Sequence, residues 1–105
     1  MPGPLIIFAR ISPKPKYLSA AREAVIGIID ATRREAGCRT FALYEGRYDD
    51  GRLYLYEEWD DEAALAAHHE QSYTRSVFDG YRRWLSGPVE ITTLRSLDAP
   101  STCSS

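Results

Sequence analysis

Leu53-Tyr54-Leu55-Tyr56-Glu57-Glu58-Trp59-Asp60-Asp61-Glu62-Ala63-Ala64-Leu65-Ala66-Ala67-His68 decides the fold. Its first part alternates with a period of two. Leu53, Leu55, Glu57 and Trp59 share one face of a strand, and Tyr54 and Tyr56 take the other. Asp60 then caps a helix running through Ala63 to His68. Asp60, Asp61 and Glu62 crowd the helix N-terminus, where the macrodipole favours negative charge. A strand therefore passes directly into a helix.

Upstream, Arg39–Glu45 reads as a second strand. Gly46 to Gly51 joins the two, and Asp50-Gly51 is a strong hairpin signal. Before that, Leu18, Ala21, Val25, Ile28, Ile29 and Thr32 recur at helical spacing, starting near Pro15 and closing at the cap residue Gly37. Leu5–Ile11 is apolar and β-branched, a buried strand stopped by Ser12-Pro13-Lys14-Pro15. Downstream, Ser72–Leu85 places Val77, Phe78, Tyr81, Trp84 and Leu85 on one broad helical face. Gly87-Pro88 ends it, and Val89–Leu97 is a last strand. The order is β-α-β-β-α-β. This predicts an α+β, ferredoxin-like domain over residues 1–98, a four-stranded antiparallel sheet with both helices on one face. Residues 99–105 read as a disordered tail.

A sheet covered on one side should alternate apolar and polar residues. These strands do not. Tyr54 and Tyr56 oppose Leu53 and Leu55, Ala42 and Tyr44 oppose Phe41 and Leu43, and Ile6 and Phe8 oppose Ile7. Both faces call for burial. Seven Tyr, three Phe and two Trp are also a heavy load for 105 residues, because a chain of that size buries only about 60–65% of its unfolded surface. A second copy of the sheet is the economical cover, which predicts a homodimer joined through the face bearing Tyr44, Tyr54 and Tyr56.

The net charge of −2 gives no electrostatic case for nucleic acid. The longest apolar run, Leu5–Ala9, is too short for a membrane span, and no leader pattern is present. Cys103 lies in the tail and Cys38 reads as half-buried, which fits free thiols in a cytoplasm. Two thiols cannot build a cysteine zinc site. His68 and His69 are adjacent and point about 100° apart, and no carboxylate lies three or four residues from either, so no metal site is expected. Phosphate-loop, nucleophile-elbow and dinucleotide signatures are absent.

Glu57-x-Trp59, the acidic cap at Asp60, the Ala/Leu helix with Leu65, and His68 nine residues after Trp59 together resemble the signature of the antibiotic biosynthesis monooxygenase family. Glu35-Ala36-Gly37-Cys38 and Tyr44-Glu45 with the Asp50-Gly51 turn resemble two further parts of that family. The resemblance covers about residues 4–97. It implies a dimeric α+β barrel and oxidation of phenols, hydroquinones or anthrones by O₂ with no flavin, haem or metal. An electron-rich phenolate can itself reduce O₂. The protein then supplies a dry aromatic pocket, a base, and a proton donor for the reduced oxygen. Haem-degrading relatives carry an Asn on the first strand. Here that strand reads Ile6-Ile7-Phe8-Ala9-Arg10-Ile11, which argues against haem.

The resemblance makes His68 and Trp59 the candidate catalytic residues. His68 would be the base, because imidazole titrates near working pH; its other reading is helix-to-sheet packing. Trp59 would stack on a planar substrate and donate its indole N–H, or else anchor the core. Glu57 and Leu55, on the same strand face, and Tyr73 and Phe78, on the following helix, are the candidate substrate-binding residues. The function expected is a cofactor-independent monooxygenase acting on a small quinol or polycyclic phenol. Two alternatives stand beside it: an isomerase or degradation enzyme for a small oxygenated metabolite, and a non-catalytic dimeric ligand-binding stress-response module.

Overall fold

The computed structural model describes residues 3–98; the tail expected at 99–105, with Cys103, lies outside them. The elements are β1 (Leu5–Ile11), a 3₁₀ turn (Pro15–Tyr17), α1 (Leu18–Ile26), α2 (Ile29–Arg33), β2 (Cys38–Glu45), β3 (Leu53–Trp59), α3 (Glu62–Glu70), α4 (Ser72–Trp84) and β4 (Glu90–Leu94). The sheet order is β2-β3-β1-β4, with every neighbouring pair antiparallel. This is the ferredoxin-like arrangement that the strand and helix order predicted.

Register explains which side chains reach the core. Ala9 pairs with Leu55 and Ile11 with Leu53. Phe41 pairs with Glu57 and Leu43 with Leu55. These residues point at the helices, where Ala21, Val25, Ile28 and Val77 meet them. β3 is the spine: Leu53, Leu55, Glu57 and Trp59 are all buried, while Tyr54, Tyr56 and Glu58 between them are not. The same alternation leaves Ile6, Phe8, Ala42 and Tyr44 on the open face.

Four boundaries differ from the sequence reading. The first helix is not continuous. It begins as a 3₁₀ turn and breaks at Gly27-Ile28. Gly27 is exposed and ends α1, at the break. Asp61, not Asp60, is the cap of α3: it is extended and its carboxylate accepts from the Ala64 amide at 2.9 Å. Asp60 instead pairs with Arg39. The last strand is shorter than expected, and every residue of it is exposed. That includes Ile91, which pairs with Ala9 and so lies on the helix side of the sheet.

One glycine sets the spacing between layers. Gly37 has φ +86°, a left-handed conformation that residues with a Cβ rarely take. A Cβ there would also sit 2.6 Å from Cβ of Ala64. The Asp60 amide bonds to the Gly37 carbonyl at 2.8 Å. The start of α3 therefore rests directly on the α2–β2 turn, and His68 lies one helical turn beyond Ala64 on the same face.

Candidate active site

The turn that holds Gly37 also aims Glu35. The Glu35 amide bonds to the Thr32 carbonyl at 3.0 Å, and the Cys38 amide bonds back to the Glu35 carbonyl at 3.2 Å. This places the Glu35 carboxylate beneath α3. There its Oε2 lies 2.8 Å from Nδ1 of His68, with side-chain exposures of only 9% and 4%. The Tyr73 hydroxyl donates to the same oxygen. Because a carboxylate only accepts, the proton of this contact sits on Nδ1 of His68.

His68 is clamped on its faces as well. Its ring centroid is 4.8 Å from that of Trp59 and 5.5 Å from that of Phe41, the latter edge-on. Thr74 Oγ1 approaches Nδ1 at 3.4 Å. Next to it the Trp59 indole N–H donates to Glu57 Oε1 at 2.9 Å. One largely buried cluster thus holds an imidazole, two carboxylates, a phenol and an indole. No side-chain polar atom among the described residues is both buried and unpartnered.

The cluster shifts its acids in identifiable directions. Burial pushes Glu57 above the ordinary carboxylate value of 4.5; the Trp59 hydrogen bond and His68 oppose this, and Glu35 adds to it. Desolvation, then the hydrogen bond to Glu35, drives the Tyr73 phenol to about 12, so it stays a donor at neutral pH. Burial and the nearby Glu57 raise the Tyr81 phenol as well. Burial, then Glu35 and Glu57, raises the Cys38 thiol, which keeps it protonated. His69 is lowered by desolvation and by its neighbour His68.

The Glu57 shift makes a stability prediction. A carboxyl raised on folding holds more protons folded than unfolded, so its favourable contribution is complete below 4.5 and fades as pH rises through the folded value. Glu57→Gln keeps an acceptor for Trp59 and removes the charge. Its melting temperature is expected to exceed the parent's at pH 7 and to match it near pH 4. Calorimetry across that range checks this.

Of the residues singled out from sequence, His68, Trp59, Glu57 and Tyr73 come together. Leu55 is buried on the same strand face but two residues from Glu57, in the layer of Leu43 and Ala9. Phe78 sits outside, 42% exposed, against His69 and Tyr81. Glu35, Phe41 and Thr74 complete the cluster, and nothing in the motif around Trp59 and His68 points to them. Glu35 ends a helix in the sequence, where an acid looks like a solvent group. Only the left-handed Gly37 two residues on hints that the chain turns it inward. Among the described residues no three His, Cys, Asp or Glu side chains are grouped to hold a metal ion.

The sequence profile described as antibiotic biosynthesis monooxygenase matches residues 4–80. The chain belongs to the antibiotic biosynthesis monooxygenase family. A relative in Mycobacterium tuberculosis, "Putative monooxygenase Rv0793", is 35% identical over 96% of this chain and 99% of its own length. The solved structure of that relative superposes with a TM-score of 0.85 at 34% identity, over 92% of this chain and 98% of that one. A second solved structure, the crystal structure of PA3566 from Pseudomonas aeruginosa, gives a TM-score of 0.86 at 30% identity over 93% of this chain and 98% of that one. Fold and family membership therefore agree with the Trp59–His68 signature. No helix among the described residues is long and apolar enough to cross a membrane.

Proposed function

We propose that this family member is a monooxygenase that oxidises a small quinol or polycyclic phenol with O₂, needing no cofactor, and that His68 is its base. The observation that carries this reading is the buried Glu35–His68 pair. Glu35 fixes the Nδ1–H tautomer and steadies the imidazolium that forms when Nε2 takes the substrate's proton. The resulting phenolate or carbanion is electron-rich and transfers electrons to O₂. One oxygen atom enters the product, the substrate gives up two hydrogens, and the other oxygen leaves as water. Trp59 packs on the His68 ring and holds it in place. Glu57, pushed toward its protonated form by burial, returns a proton to the reduced oxygen in this reading. The test is O₂ uptake by metal-stripped protein with 1,4-naphthohydroquinone and anthrone. Uptake with stoichiometric oxygenated product supports the reading. No uptake on either sinks it, and turnover of a substrate without O₂ favours an isomerase or degradation enzyme instead.

The working unit in this reading is a homodimer in the cytoplasm, where Cys38 stays a thiol. The open sheet face supports it: Phe8 is 38% and Tyr44 57% exposed, and Phe8 stacks on Tyr54 with centroids 6.0 Å apart. On β4, Leu94, paired with Ile6 on the same face, adds 43%. A continuous apolar patch of this kind is unusual on a monomer. Sedimentation is expected to give a dimer at micromolar concentration and a monomer for Phe8→Asp. A monomeric parent protein would refute it.

A further inference from the structure

His68 is only 3% exposed, and it lines none of five pronounced surface clefts among the described residues. One of those clefts nevertheless shares a wall with its cluster. It runs between α1 and α4, encloses about 350 Å³, and has Tyr73 in its lining. The hydroxyl of that same Tyr73 is bonded to Glu35, which holds His68. Tyr73 thus connects an open cleft, through Glu35, to the buried imidazole.

We infer that the α1–α4 cleft is the binding site for an uncharged, flat, hydroxylated aromatic ligand, with Tyr73 as the gate between it and His68. This rests on the reading of His68 as the base. The floor, Ile28 and Val77, is apolar and belongs to the core. The far wall is Trp84, and its position is built into the chain. A Cβ on Gly80 would meet two Trp84 indole carbons at 2.3 Å, so the indole lies folded back along the helix against Gly80. Tyr73 and Gly80 are seven residues apart, about 10 Å along the helix, so the two aromatic walls stand at opposite ends of the cleft. The volume falls in the usual range for ligand clefts, about 300–1,000 Å³. Glu23 is the one charged side chain in the lining, and it opposes an anionic ligand while accepting a hydroxyl. The cleft lies on the helical side, so a second copy covering the open sheet face would leave it accessible.

The experiment is a titration of the ¹⁵N-labelled full chain with 2-naphthol, which binds without being turned over, and with 2-naphthoate as the anionic control. The result expected is that 2-naphthol shifts the Gly27 and Ser76 amides and the Trp84 indole N–H, and that 2-naphthoate binds at least tenfold more weakly. Ser76→Trp, an exposed change that fills the cleft mouth, is expected to weaken 2-naphthol at least tenfold. Gly80→Ala, which dislodges the indole, is expected to weaken it too. Shifts confined to the open sheet face, no shifts at all, or unchanged affinity in Ser76→Trp would overturn the inference. Equal binding of the naphthoate would overturn the ligand class. If 2-naphthol maps to the cleft but no O₂ uptake occurs, the binding site stands and the monooxygenase reading falls. If uptake persists undiminished in Ser76→Trp, the monooxygenase reading stands and the cleft falls.

Discussion

Replacing His68 by Ala is expected to lower the oxidation rate of a quinol substrate by about 10²–10⁴-fold, the usual worth of a positioned acid–base group. Added imidazole should restore part of it. Glu35→Gln is the sharper variant. It preserves size and hydrogen bonding, but a glutamine can turn its NH₂ toward Nδ1. The imidazole then carries its proton on Nε2, and the lone pair that should take the substrate's proton is gone. A fall in kcat of about 10²-fold is expected, with KM little changed, because the loss falls on the transition state. Tyr73→Phe removes one of the two donors to Glu35 and is expected to cost less, about tenfold. A purely structural cluster would behave differently. Glu35→Gln would then lower the melting temperature and leave kcat intact. Measuring both quantities on the same variant separates the two roles.

The fold was legible because its signals are local. Alternation in Leu53–Trp59, the Asp50-Gly51 turn and the apolar run Leu5–Ile11 each specify an element without reference to the rest of the chain. The boundary errors arose where tertiary contacts override such signals. Asp60 and Asp61 are equivalent as caps by residue type. Asp60 is drawn off by Arg39 and by the Gly37 carbonyl, which leaves Asp61 to accept from Ala64. The helix break at Gly27-Ile28 is equally invisible in a pattern that keeps its apolar spacing across it. The site was half legible for the same reason. Trp59 and His68 belong to one contiguous motif. Glu35 lies 33 residues before His68, and the two meet only because Gly37 lets α3 settle onto the turn. Gly80 was hidden too: within a helix a glycine reads as a weakness of about 1 kcal/mol, whereas here it is the seat of Trp84.

Trp59→Ala is expected to have the largest effect on stability. Trp59 is fully buried and heads the fully buried side chains in volume. Emptying such a site costs about 3–5 kcal/mol through lost transfer energy and the cavity left behind. A second penalty is specific to this protein. The indole N–H is a donor to the Glu57 carboxylate, and leaving a buried acceptor without its partner costs about 1–3 kcal/mol more. Domains of this size are stable by only about 5–15 kcal/mol in total, so the variant should be close to unfolded at 25 °C. Trp59→Phe separates the two contributions. It keeps an aromatic ring against His68, loses the donor, and should retain a cooperative urea transition with a lower midpoint. Adding Glu57→Leu to Trp59→Phe removes the stranded acceptor as well. If the hydrogen bond matters as argued, that second change recovers stability in the Trp59→Phe background and recovers less in the parent, where it strands the indole N–H instead. Equal effects in both backgrounds would mean that Trp59 and Glu57 contribute independently, and that Trp59 acts through its volume alone.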